Sequence, residues 1–162
     1  MSASAQRLAL LLRQTGANVE KVALDVGLAA GHALSVAGFD IIDGVHVDPD
    51  AVEAAQSGPW RAVWRTPDDG LGHVRAGDYA TIVACGILSP DDEPDHVLAV
   101  LLSALAPGGR LGLAIADPGG DESDPVARAI LAALASDDIE LIEEQKIVDE
   151  TGPGLLLVLT RA

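Results

Sequence analysis

An alternation limits this chain's fold more than any other feature. Short apolar, β-prone runs are separated by stretches of helical spacing, and the last two runs follow one another with no helix between them. Val19 to Val26, Asp40 to Val47, Arg61 to Arg65, Tyr79 to Ala84 and Leu111 to Ala116 read as five strands. A first helix is expected over 4–15, where Ala5, Leu8, Leu11 and Leu12 share a face and Gly16 supplies the stop. A short helical piece over 32–37 ends at Gly38, and another begins at Pro49, a residue suited to a first turn. A longer helix is expected over 91–106. Its first turn would carry Asp91, Asp92 and Glu93, and its apolar face Val97, Leu98, Leu101, Leu102 and Leu105. The last helix, over 124–135, has Asp124 as its N-cap and Pro125 as its first helical residue. Ile139 to Val148 and Leu155 to Thr160 then form two strands around a break at Gly152-Pro153-Gly154. Strands alternating with helices and finishing in a hairpin predict an α/β sheet with helices on both faces. With no internal repeat or linker, the chain reads as one domain, 1–162, made of an N-terminal helix (1–18) and a core (19–162).

Charge and composition narrow the functions. Twenty-five acids against ten bases give a net charge of −15, which argues against a broad nucleic-acid surface and against an anionic membrane. The four aromatic residues, Phe39, Trp60, Trp64 and Tyr79, are too few for a base-stacking surface. A single cysteine, Cys85, excludes an intramolecular disulfide and a Cys-based zinc site, and suits a reducing cytoplasm. The apolar runs at 8–12 and 155–159 are too short to span a bilayer, and no leader-peptide pattern is present. A soluble cytoplasmic protein is expected. Neither His32 nor His73 has a second ligand at metal spacing, so no metal is expected, and His96 reads as a surface histidine.

In open α/β sheets the ligand sits beyond the carboxyl ends of the strands, where the strand order reverses. Here that place is Asp25-Val26-Gly27-Leu28-Ala29-Ala30-Gly31, whose two glycines allow a close backbone approach. The stretch does not match the G-x-G-x-x-G of dinucleotide-binding dehydrogenases. It resembles instead the first motif, roughly D-x-G-x-G-x-G, of class I S-adenosylmethionine (SAM) dependent methyltransferases, through Asp25, Gly27 and Gly31. Gly44-Val45-His46-Val47-Asp48-Pro49-Asp50-Ala51-Val52 is similar to that family's G-V-D-x-S-P-E-A-V. Asp78-Tyr79-Ala80-Thr81-Ile82-Val83 is similar to its F-D-L-V-V, and Leu105-Ala106-Pro107-Gly108-Gly109-Arg110-Leu111 to its L-K-P-G-G-R-L. The resemblance covers about 19–162 and implies a Rossmann-like, three-layer α/β/α fold. Its sheet would be seven-stranded and mostly parallel, with an antiparallel C-terminal hairpin. The resemblance also implies that SAM or a related nucleoside would bind beside Asp25, Gly27, Leu28, Ala29, Gly31, His46, Val47, Asp68 and Cys85, with a small molecule as substrate.

The chain departs from that pattern at several positions. The family ends its second strand in a carboxylate that accepts both ribose hydroxyls, but here His46 stands nineteen residues after Gly27, near the ~20 expected for a ribose acid. Neutral imidazole has one acceptor and imidazolium has none. Losing charge-assisted bonds costs about 1.5–3 kcal/mol, roughly 10–150-fold in affinity. Asp43 and Asp48 are the nearby carboxylates that could compensate. Ala29 replaces the middle glycine. The adenine-side acid after strand three falls near Thr66, with Asp68 and Asp69 just beyond. Ser89-Pro90 stands where many small-molecule relatives carry Glu-His or His-His, the N-P-P-Y signature is missing, and no catalytic base is evident. Cys85 reads as a small buried hydrophobe rather than a nucleophile. No long insertion between strands five and six provides a lid.

Trp60-Arg61-Ala62-Val63-Trp64-Arg65 holds half of the aromatics. As a strand it would place Trp60, Ala62 and Trp64 on one face and Arg61, Val63 and Arg65 on the other. In the methyltransferase-like order this strand lies at the sheet edge, where tryptophans packed on a helix and guarding arginines would suffice. The same residues suit a homodimer or protein-partner surface. Two functions follow: a small-molecule methyltransferase with a rewired cofactor site, or a non-catalytic methyltransferase-like subunit that works through protein contacts.

Overall fold

The structure is a computed structural model that describes residues 2–66, 71 and 74–162. Its elements are α1 (Ala3–Gln14), β1 (Ala23–Val26), α2 (Gly31–Val36), β2 (Ile42–His46), α3 (Pro49–Ala55) and β3 (Ala62–Arg65). They continue with β4 (Tyr79–Cys85), α4 (Pro94–Ala104), β5 (Leu105–Ala116), α5 (Pro125–Leu134), β6 (Ile139–Asp149) and β7 (Gly152–Arg161). The seven strands form one sheet in the order β3-β2-β1-β4-β5-β7-β6. The pairs β2–β3, β1–β2, β1–β4 and β4–β5 are parallel, and β7 runs antiparallel between β5 and β6. This is the expected Rossmann-like architecture. The strand order reverses between β1 and β4, so the carboxyl ends of those strands open the crevice where such folds hold ligands.

Two apolar layers cover the sheet. On one face Leu8, Leu11 and Leu12 of α1, with Ala33, Leu34 and Phe39 from α2 and its exit, pack on Ala23, Ile42, Val83 and Val158. On the other, Leu98 and Leu101 of α4 and Val126 and Ile130 of α5 pack on Leu24, Val45, Ile82, Leu111 and Leu157. Ala23 packs in the first layer and Leu24 and Val26 in the second, so β1 is buried throughout because both of its faces are covered. Helix α1 sits close because β5 carries Gly112, where a Cβ would lie 2.9 Å from Leu12 and 3.2 Å from Leu8.

Several boundaries move for local reasons. The first strand is shorter than 19–26, because the Asn18 side chain accepts from Glu20 N–H at 3.0 Å and the Asn18 carbonyl from Lys21 N–H at 3.2 Å, which makes a turn. The expected 91–106 helix begins only at Pro94, because Glu93 takes left-handed backbone angles (φ 49°) and Asp92 N–H turns back to Ser89 C=O. Asp91 and Asp92 are therefore not helical. The closing turn falls at Glu150-Thr151, ahead of Gly152-Pro153-Gly154. Asp149 Oδ1 accepts from both the backbone and the hydroxyl of Thr151, and Gly152 takes φ 114° directly after the turn. Among the described residues, no helix is long and apolar enough to cross a membrane and no group of side chains could hold a metal ion.

Candidate functional site

Asp25 lies near the carboxyl end of β1 and is fully excluded from solvent. It accepts from Ala30 N–H at 3.2 Å through both oxygens and from the Trp60 indole N–H at 2.9 Å. All of these donors are neutral. Burial, only partly offset by these bonds, pushes the carboxyl up to about 6. Asp25 thus ties the turn 27–30 to its own strand and works beneath the turn. Gly27 takes φ 93° there and Leu28 takes φ 60°, which turns the chain sharply over the end of β1.

Trp60 is the residue that the strand pattern misplaces. It precedes β3 and escapes that strand's alternation. It packs with the α1/α2 layer, whereas Trp64 packs with the α4/α5 layer. The two tryptophans therefore lie on opposite faces of the sheet, not on one. Three glycines make room for the indole: a Cβ on Gly31, Gly44 or Gly58 would lie 2.5, 2.9 or 2.2 Å from it. His32 meets its ring edge-on at 5.8 Å. Much of the small-residue pattern around the first turn accommodates the chain's own tryptophan. Arg61 is likewise occupied. Its guanidinium donates to both oxygens of buried Asp43 at 2.9 and 2.7 Å, and Tyr79 O–H completes the cluster at 3.0 Å.

Beyond the carboxyl ends of β1, β2 and β3 lies a cleft of about 750 Å³, within the range of small-molecule sites. Val26, Gly27, Val45, His46, Val47, Thr66 and Ile87 line it on the strand side. Asp91, Asp92, Glu93, Val97 and Leu101 close it from the α4 side. Among the described residues, no lysine or arginine lines it. Ile87 lies over the glycine turn, since a Cβ on Gly27 would be 2.5 Å from its Cδ1. Gly27 therefore keeps its own surface clear of a side chain while Ile87 covers part of it.

Of the residues expected around a cofactor, Gly27, His46 and Val47 line this cleft. Asp25 lies buried under the turn, Gly31 is packed on Trp60, and Leu28 reaches across to Gly44. Ala29 is exposed and does not line the cleft. Cys85, at the end of β4, also stays out of the cleft, and burial with the nearby Asp25 pushes its thiol up to about 12. That keeps the thiol protonated, as expected of a non-nucleophilic cysteine. Asp68, like Asp69 and His73, lies outside the described residues. Thr66, Ile87 and the non-helical acids 91–93 complete the cleft. The strand-to-helix pattern did not reveal the three acids, because their position depends on the left-handed residue at Glu93.

At the β2 end, the Asp48 backbone N–H donates to His46 Nδ1 at 2.9 Å. The Asp48 side chain accepts from Asp50 N–H and caps α3. Neither Asp43, occupied by Arg61 and Tyr79, nor Asp48, occupied by the cap, takes over as an uncommitted carboxylate in place of His46.

No protein-family model matches the sequence, and no curated protein matches it. Solved structures match it over nearly its whole length. The 1,6-didemethyltoxoflavin-N1-methyltransferase of Burkholderia thailandensis, crystallised with 1,6-didemethyltoxoflavin and S-adenosylhomocysteine, superposes with a TM-score of 0.72 at 16% identity over 98% of this chain and 78% of that one. The N-methyltransferase NodS of Bradyrhizobium japonicum, with S-adenosylhomocysteine, gives 0.73 at 16% identity over 97% and 85%. A branched-chain polyamine synthase mutein from Thermus thermophilus, with N4-aminopropylspermidine and 5'-methylthioadenosine, gives 0.77 at 15% identity over 98% of this chain and 55% of that one. The chain has the fold of class I SAM-dependent methyltransferases.

Proposed function

We propose that the chain binds SAM or a related nucleoside in the cleft beyond β1 and β2 and methylates a small molecule. The observation that carries this reading is the cleft itself. It opens at the reversal of strand order and is bounded by Gly27, His46 and Val47, where the resemblance puts an adenosyl cofactor. The residues fit such a group. Val26, Val45, Leu71 and Leu101 suit a purine ring, and Asp91, Asp92 and Glu93 favour a cationic occupant such as a sulfonium. Bound there, SAM supplies an electrophilic methyl group. The chain's own part is to exclude water with its apolar wall and to hold the acceptor in line, which can supply most of the acceleration for such a transfer. Among the described residues only the three acids of the cleft could take the acceptor's proton, because His46 Nδ1 already accepts the Asp48 N–H, so an acceptor that loses its proton readily to water fits best. Calorimetric titration with S-adenosylhomocysteine tests the reading: micromolar binding supports it, and absence of binding at millimolar ligand overturns it.

The position of Ile87 over Gly27 favours a second reading, a non-catalytic methyltransferase-like subunit that has lost SAM binding. Such a protein would work through the β3 edge, where Arg65 is exposed, with a second copy or a protein partner. Under this reading Ile87→Ala creates S-adenosylhomocysteine binding that the wild type lacks, and Trp64→Ala with Arg65→Glu changes the assembly mass measured by light scattering. Under the first reading the wild type already binds.

A further inference from the structure

The sharpest departure from the resemblance is at the end of β2, and the structure gives it a definite chemistry. His46 lines the cleft and is half-buried. Its Nδ1 accepts the Asp48 backbone N–H at 2.9 Å, which requires Nδ1 to be unprotonated. The ring's one acceptor is therefore used by the chain itself, and its proton sits on Nε2. No partner for Nε2 exists among the described residues. The neighbouring position adds no acceptor: Arg65 is the register partner of His46 across β2 and β3 and offers only donors, one of them given to Val47 C=O at 3.2 Å. Asp43 faces Arg61 and Tyr79, and the Asp48 carboxylate caps α3.

We propose that His46 determines ligand specificity by inverting the hydrogen-bond polarity of this end of the cleft. Nε2–H donates to an oxygen of the ligand, so the site selects a ligand oxygen as acceptor and has no use for the hydrogen of a hydroxyl. This rests on the nucleoside-binding reading above and deepens it. A carboxylate at this place needs free ribose hydroxyls to donate to it, because an ether oxygen cannot donate. A histidine held as this one is donates to an ether oxygen as readily as to a hydroxyl oxygen. The site therefore takes ribose-modified nucleosides that a carboxylate site refuses.

The probes are adenosine, 2'-O-methyladenosine and 3'-O-methyladenosine, titrated calorimetrically into the full chain and its variants. The wild type holds at least one of the O-methyl ligands within about threefold of adenosine, whereas His46→Asp weakens both by about tenfold or more, the scale of one lost hydrogen bond. His46→Gln, which can still place an amide N–H near Nε2, keeps the wild-type pattern. Tenfold weakening of both O-methyl ligands on the wild type, with adenosine bound, overturns the inference and leaves nucleoside binding standing. No binding of adenosine or S-adenosylhomocysteine to any form overturns both. A ligand-free measurement adds a second check: long-range ¹H–¹⁵N spectra show His46 as the Nε2–H tautomer, and the Nδ1–H tautomer overturns the inference.

Discussion

Two buried carboxylates on neighbouring strands, Asp25 of β1 and Asp43 of β2, are held in opposite ways. Asp43 has a cation: Arg61 grips it with two bonds and Tyr79 adds a third. Asp25 has only neutral donors, Trp60 and the backbone of its own turn, and burial pushes it to about 6. The first cluster ties the start of β3 to β2. The second supports a strained turn, with Leu28 at φ 60°, at the end of the sheet where the cleft opens. Departures from local rules, Leu28 and Glu93 with positive φ, collect at the cleft end of the sheet.

Removing Trp60 breaks the comparison hardest. Trp60→Ala empties the space that Gly31, Gly44 and Gly58 provide and takes a donor from Asp25, and chemical unfolding should show a loss of about 3 kcal/mol. Trp60→Phe fills most of the space without the N–H, so it separates packing from hydrogen bonding. Arg61→Ala leaves Asp43 with Tyr79 alone. Because the arginine side chain is 56% exposed, the loss in thermal or urea melts should be about 2 kcal/mol, below the range for fully buried pairs.

Asp25 makes a pH prediction of the opposite sign to most acids. Its carboxyl titrates near 6 when folded against 3.8 when free, so between those values the folded chain binds more protons than the unfolded one. Acidification from pH 7 to 4.5 should therefore stabilise the wild type by about 2 kcal/mol relative to Asp25→Asn, a gain lost as pH rises back through 6. Urea midpoints of both forms across that range give the difference directly. The smallest effect is expected at Thr81 on β4, whose fully buried hydroxyl has no partner among the described residues. Thr81→Val should raise stability by about 1 kcal/mol in the same melts.

The fold was legible because it rests on local patterns. Covered strands read as apolar runs, and Asp124 caps α5 through Val126 and Ala127 N–H as its position implied. The glycines of the first turn were also visible, but not what they accommodate. Nothing in the sequence pairs Gly31 and Gly44 with Trp60, since those contacts join segments well separated in the chain and Trp60 lies outside the strand whose alternation would have placed it. The fate of His46 depended on a backbone N–H two residues on, which strand periodicity cannot reveal. The acids 91–93 were read as a helix start because their charge suits one, and the left-handed Glu93 releases them to the cleft instead.

The most direct test of nucleoside binding at the cleft is an amide chemical-shift titration of the ¹⁵N-labelled chain with S-adenosylhomocysteine. Saturable shifts at Gly27, His46, Val47 and Thr66, with Gly16, Gly108 and Gly109 at the opposite end of the sheet unmoved, are the expected result. No shifts at millimolar ligand, or shifts confined to the opposite end, would contradict it.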